Sequence, residues 1–317
     1  MPDSGEFISV IIPCFNEEEV LEQTWHRVSR VLLSMKGVLD FEIVFVNDGS
    51  TDRTLEILKG FAGQDRHVRV ISFSRNFGHE AATSAGLHHC KGNVAFILDA
   101  DLQDPPELFP DMLEVLRKQN CNAVYGVRNH REGESVFKKL SSRLFYRFYN
   151  WIAEVEFPVD TGDFRLIDRK IIDHFNGLRE RGKYVRGLLT WVGFRQLPFY
   201  YARDARKSGQ SKYNFGRLLK LAFNIIFSFT KRPLEVALGL GAFCIVISAG
   251  LLAYTFMSRL LVPLKGWAST LTVIIFLGGV QLVTIGVLGQ YIGLIFDEVK
   301  RRPEYIVDEI IETERMT

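Results

Sequence analysis

The sequence predicts an α/β domain built on a mostly parallel sheet, followed by two membrane-spanning helices. Three observations predict it. Short apolar, β-branched runs alternate with helical periodicity through the first half of the chain. These runs end at polar or acidic residues. Beyond Lys231, two long stretches carry no charge. Strand–helix alternation of this kind places helices on both faces of a parallel sheet.

Phe7 to Pro13 is the first run, bounded by Pro13 and Asn16. Phe41 to Val46 is the second and ends at Asn47-Asp48-Gly49-Ser50. Val68 to Phe73 and Val94 to Leu98 repeat the pattern, and Ala123 to Val127 is a weaker case. Helical spacing fills the gaps, as in Val20 to Leu33 and Thr54 to Phe61. Ligands of such sheets bind beyond the carboxyl ends of the strands. Those ends carry Asn16-Glu17, Asp48, Arg75-Asn76 and Asp99 to Asp101.

Two later segments, Val136 to Val155 and Phe215 to Phe229, mix basic and aromatic residues at helical spacing. Both read as amphipathic helices suited to a lipid headgroup layer, or else as surface helices packing on the domain. Val236 to Met257 and Gly266 to Phe296 follow without a charged residue. A bilayer core needs about 20 apolar helical residues, so each is long enough to span. Lys231 and Arg232 precede the first, Lys300 to Arg302 follow the second, and the connecting loop holds only Arg259 and Lys265. That bias places both termini in the cytosol. The polar, acidic start Met1 to Phe7 lacks the pattern of a cleavable signal. Domain limits follow: 1–213 catalytic, 214–232 juxtamembrane, 233–298 two spans with a short outer loop, 299–317 a cytosolic tail.

A net charge of +2 argues against a nucleic-acid partner. The four cysteines show neither metal nor redox spacing. Glycines 239, 241, 278, 279, 286, 289 and 293 would let helices pack closely, which predicts a homo-oligomer.

The strongest chemical signal is Leu98-Asp99-Ala100-Asp101-Leu102-Gln103-Asp104-Pro105-Pro106-Glu107. Along an extended chain, residues two apart face the same way, so Asp99, Asp101 and Gln103 can converge. Their oxygens suit Mg²⁺ or Mn²⁺, which would bridge a diphosphate and neutralise it as it leaves. Asp104 reads as a helix cap. Glu17, after the first strand, could accept hydrogen bonds from a base or ribose, or simply favour a helix N-terminus. Asp48 is read as a nucleotide contact, and Ser50-Thr51-Asp52 as capping residues.

In that order and spacing, Pro13 to Glu18, Asn47-Asp48-Gly49-Ser50 and Asp99-Ala100-Asp101 resemble glycosyltransferase family 2. The family's fold, GT-A, is a nucleotide-sugar-binding α/β sandwich. Asp101 to Glu107, Thr161-Gly162-Asp163-Phe164-Arg165-Leu166 and Arg206 to Tyr213 are similar to its polyprenyl-phosphate branch, which includes dolichyl-phosphate mannose synthase. Gly289-Gln290-Tyr291 to Pro303 resembles the bactoprenol glucosyltransferases. The resemblance implies that Pro13, Phe15, Glu17 and Asp48 line the nucleoside site. Asp99, Asp101 and Gln103 would hold metal and diphosphate, and Arg128 would meet phosphate. Arg206 and Lys212 would lie on a loop closing over the donor. Glycine and serine beside cations also suit such a lid on chemical grounds.

The implied reaction is inverting transfer of a sugar, with UDP-glucose the preferred donor, to undecaprenyl phosphate or a similar lipid at the inner membrane of a bacterium. Arg128, Lys139 and Arg143 are candidates to hold the acceptor phosphate, the latter two spaced i, i+4. Asp163 would orient the acceptor or act as base, or else pair with Arg165. Two alternatives fit the sequence less well. A polysaccharide synthase would carry a Gln-X-X-Arg-Trp motif and more spans. A non-catalytic scaffold or lipid-flipping partner would have no reason to keep Asp99, Asp101, Gln103 and Arg206.

Overall fold

A computed structural model describes residues 6–35, 37–128, 161–180, 183–201, 230, 232–259 and 267–313. Four strands form the centre of the sheet: β1 (Glu6–Cys14), β2 (Val38–Asn47), β3 (Val68–Phe73) and β4 (Val94–Ile97). All three pairings among them are parallel. Ile8, Val10, Ile43, Val44, Val70 and Phe96 are fully buried. Helices cover both faces, so these strands read as continuous apolar runs without alternation.

Helices α1 (Leu21–Ser34), α2 (Thr54–Gln64), α3 (His79–His89) and α4 (Phe109–Lys118) connect and cover the strands. On one face Phe96 and Phe109 stack at 3.9 Å, with Phe164 beyond. Burying each such ring contributes about 1.5–3 kcal/mol. On the other face α3 presents Ala81, Ala82 and Ala85 to Val44, Val46 and Ile71. Its approach is close: a Cβ at Gly86 would sit 2.2 Å from Ile11 Cγ2. Small residues let the start of this helix reach the strand ends.

Four strands complete a sheet ordered β7-β5-β6-β4-β1-β2-β3-β8. They are β5 (Ala123–Arg128), β6 (Thr161–Asp168), β7 (Gln196–Tyr201) and β8 (Val307–Glu312). The sheet is mixed, because β6 runs antiparallel to β4 and β5, and β8 antiparallel to β3. Helix α5 (Arg169–Gly177) starts at Asp168, whose carboxylate accepts the Ile171 N–H, and α6 (Val185–Trp191) precedes β7. Strand order reverses between β1 and β4. That reversal opens a crevice at their carboxyl ends.

The sequence pattern anticipates the five strands from β1 to β5. It misses β6, where Asp163 and Arg165 interrupt the apolar run, and β7 and β8, the two edge strands, where polar and exposed residues do so. Of the tail set apart at 299–317, residues 307–312 form β8, and the described part from Arg302 groups with the sheet-bearing unit.

A second unit holds α7 (Arg232–Arg259) and α8 (Trp267–Lys300). Arg232–Leu251 and Val273–Lys300 are long and apolar enough to cross a membrane, with mean hydropathy 2.1 and 2.0. Leu238, Ile245, Val246, Leu282 and Val283 stand exposed along them. The amphipathic helices expected at 136–155 and 215–229 lie outside the described residues.

Candidate functional site

The loops after β1 and β2 are knitted together. Asn16 adopts φ 56°, and its Oδ1 accepts the Thr51 N–H at 2.8 Å. The Asn16 N–H donates to Ser50 Oγ at 3.0 Å, and the Glu17 N–H to Thr54 Oγ1 at 2.9 Å. Asp52 accepts the Thr54 N–H in the first turn of α2. Pro13 is buried beneath this knot, Phe15 is 44% exposed on it, and Glu17 is half-buried where α1 begins.

Asp48 follows β2 as a buried carboxylate with three donors. Phe77 N–H lies 2.6 Å from Oδ1, while Gly78 N–H and Asn76 Nδ2 each lie 2.9 Å from Oδ2. Burial pushes its pKa up, against the pull of those backbone N–H groups. Asp48 thus fixes the loop that leads into α3. The following Gly49 has φ 61°, and a Cβ there would meet the Arg75 carbonyl carbon at 2.3 Å. Only glycine fits this crossing.

Across the switch point, β4 ends at Ile97 and the chain turns. Asp99 and Asp101 therefore leave on a turn, and not on the extended chain their spacing suggests. Leu102 adopts φ 53°, Asp101 Oδ1 accepts the Gln103 N–H at 3.1 Å, and Thr24 Oγ1 ties the Ala100 carbonyl to α1 at 2.8 Å. Gln103 is buried, with Nε2 lacking a hydrogen-bond partner among the described residues. Asp104 is buried and accepts the Tyr201 hydroxyl of β7.

Asp99 faces two residues from distant elements. His79, the first residue of α3, lies 3.7 Å from Asp99 and 3.1 Å from Asp163 of β6. Asp163 is also gripped by Arg186 of α6, at 2.8 Å through Nε and 2.7 Å through Nη2. The charges are mutually shaped. Burial, then the neighbouring Asp163, pushes Asp99 up to about 6. Burial opposes ionisation of Asp163 as well, but His79 and Arg186 overcome it and hold this carboxyl well below the usual range. His79 is raised to about 9, its carboxylate partners outweighing burial. Burial lowers the Arg165 guanidinium, on the same strand as Asp163, to about 10.

Ligand atoms of His79, Asp99 and Asp163 all lie within 4.8 Å of one another. Both oxygens of Asp163 are engaged by Arg186. Asp99 Oδ1 is buried without a hydrogen-bond partner among the described residues, and Asp101 stands two residues away on the turn. An unsatisfied carboxylate oxygen, with a second carboxylate on the adjoining turn, suits a hard divalent cation.

The structure thus gathers Asp99 and Asp163 at one point, with Asp101 and Gln103 on the adjoining turn and Asp48 behind the α3 loop. Arg128 closes β5 in register with Tyr201. Lys139, Arg143, Arg206 and Lys212 lie outside the described residues. His79 and Arg186 escaped the sequence reading. The polar end of β3, Arg75-Asn76, hinted at the first; no local signal marks the second.

An α/β fold with carboxylates gathered at its switch point places them where ligands of such sheets bind. The model for Glycosyl transferase family 2 matches residues 9–175, more than half of the chain. The chain belongs to that family, and its sheet is of the GT-A type. Among its relatives, the uncharacterized glycosyltransferase YkcC of Bacillus subtilis (strain 168) is 41% identical, over 97% of this chain and 96% of that protein. The bactoprenol glucosyl transferase of Shigella phage SfII is 39% identical, over 95% of this chain and 97% of its own length. A solved glucosyl-3-phosphoglycerate synthase from Mycobacterium tuberculosis is 20% identical with a TM-score of 0.49, over 71% of this chain and 78% of that one.

Proposed function

We propose that this protein transfers glucose from UDP-glucose to a polyprenyl phosphate such as undecaprenyl phosphate, with inversion, at the cytosolic face of a bacterial inner membrane. The observation that carries this is the full-length likeness to the phage SfII bactoprenol glucosyl transferase, over 95% of this chain. The remainder is too short to omit either apolar helix. The relative therefore matches both the carboxylate-lined domain and the hydrophobic segments a lipid acceptor calls for.

Each residue has a task in this scheme. Phe15 offers an exposed aromatic face to the base. Asp99, Asp101 and Gln103 would hold Mg²⁺ or Mn²⁺, which when bound supplies positive charge to the leaving diphosphate. Arg206 and Lys212 close over the donor. A lipid phosphate monoester has a second pKa of about 6, so near neutral pH its oxygen is already anionic and needs little help from a base. Arg128, Lys139 and Arg143 hold that phosphate in line with the anomeric carbon. Asp163, with both oxygens in the Arg186 fork, serves as a fixed anion that orients its neighbours. The chain works as a homo-oligomer with both termini in the cytosol.

Full-length protein in detergent, incubated with radiolabelled UDP-glucose, other UDP-sugars or GDP-mannose plus undecaprenyl phosphate and Mn²⁺, tests the scheme. Label moving into the organic phase from UDP-glucose supports it. Transfer from none of the donors overturns it.

A further inference from the structure

The segment just past α8 lies against the loop that carries the donor side of the site. Ser74 N–H donates to the Ile306 carbonyl at 3.0 Å, and Ser84 Oγ of α3 donates to Glu304 at 3.2 Å. Between these two bonds, the Tyr305 ring stacks on Phe73 with centroids 4.9 Å apart and planes 11° from parallel. Phe73 in turn meets Phe77 edge to face at 5.8 Å. The Phe77 N–H is the 2.6 Å donor to Asp48, and His79 follows two residues on. Tyr305, Phe77 and Val307 all pack against the cluster beneath α3.

We propose that Tyr305 is a positioning residue for the donor site: stacked on Phe73, it holds the 74–79 loop in the shape that serves Asp48 and His79. This rests on the donor-site reading above. Backbone geometry explains why the loop needs an outside support. It leaves β3, crosses Gly49 at close range and enters α3 through Gly78 at φ 104°. Its residues 76–78 are bonded to Asp48. Its first residue, Ser74, and Phe73 before it meet Ile306 and Tyr305, from a part of the chain more than 200 residues away in sequence. Edge-to-face and stacked pairs are geometrically selective, so removing one ring loosens the placement of the next. Tyr305 touches no substrate in this scheme and acts only through Phe73 and Phe77.

The experiment uses full-length protein in detergent and measures UDP binding with Mn²⁺ by calorimetry, beside the thermal midpoint. Tyr305→Ala should weaken UDP binding by about threefold to tenfold, the scale of one aromatic pair. Tyr305→Phe keeps the ring and should restore wild-type binding. Glu309→Gln removes the ion pair between Glu309 of β8 and Lys59 of α2, which involves no residue of the loop, and should leave binding unchanged. In turnover, Tyr305→Ala should raise KM for the donor and leave KM for the lipid phosphate alone. Should Tyr305→Ala fail to fold, Tyr305→Leu takes its place, filling volume without an aromatic face. A folded Tyr305→Ala protein that binds UDP like wild type overturns the proposal, as does equal weakening by Glu309→Gln. Wild-type protein that binds no UDP sinks the donor-site reading itself.

Discussion

Replacing Arg186 with methionine removes the fork that grips Asp163 and keeps the aliphatic stem. The carboxylate left behind has a side chain only 9% exposed, and it loses contacts of 2.8 and 2.7 Å. Breaking one side of a buried ion pair typically costs about 3–5 kcal/mol. Two features reduce that here. His79 remains 3.1 Å from Oδ2, and Arg186 is itself 31% exposed. A loss of about 2–3 kcal/mol is therefore expected. In a domain of this size that lowers Tm by roughly 4–12 °C. Asp163→Asn in the same background removes the stranded charge, so the double variant should be more stable than the two single losses add up to. Thermal unfolding of the full-length protein, followed by tryptophan fluorescence near pH 7, reads all four members of the cycle. Strict additivity, or a single variant melting within about 1 °C of wild type, would refute the claim that this pair supports the site.

Three further outcomes follow from the same geometry. Asp101→Ala should abolish sugar transfer while the melting curve stays close to wild type, and EDTA should silence wild-type protein until Mn²⁺ or Mg²⁺ is restored; full turnover in either case would exclude the cation. His79 is raised from 6.5 to about 9 in the folded protein, so its stabilisation is complete below pH 6.5 and is lost as pH climbs toward 9. With a ring 44% exposed, screening leaves about 1 kcal/mol of the effect. In EDTA, the Tm gap between wild type and His79→Gln should thus be wide at pH 6 and nearly closed at pH 9.5; a gap that does not narrow would count against it. Gly49→Ala combines a left-handed backbone with a 2.3 Å approach to Arg75, and should cost about 2 kcal/mol or more, measured as a lowered thermal midpoint; a midpoint equal to wild type would contradict the crossing.

The centre of the sheet was open to sequence reading because its strands are apolar on both faces. Val10 to Ile12, Ile43 to Val46 and Val94 to Ile97 are short, rich in β-branched residues and followed by turn residues, which favours strand over helix. Strand β6 was hidden because Asp163 and Arg165 interrupt Thr161–Asp168 with buried charge that only a distant Arg186 and His79 explain. β8 was hidden because its partner, β3, lies more than 200 residues earlier. The site divides in the same way. Asp99 and Asp101 advertise themselves by spacing at a strand end. His79 is one of seven histidines, and nothing beside it in sequence reveals that two carboxylates flank it. Asp48 was visible as a strand-end acid. Its three donors from residues 76 to 78 were not, because they depend on how two loops cross in space.

The outer edge of β3 receives its only neighbour among the described strands from residues 307–312. Those residues are translated after both hydrophobic helices. While the ribosome is still making them, the sheet has an open row of backbone donors and acceptors along β3, the arrangement by which edges pair with other chains. A shortened gene product ending before Arg232 would keep that row bare permanently. Its tendency would be to join a second copy edge to edge, and a soluble catalytic fragment needs residues 302–313 returned to it by a linker.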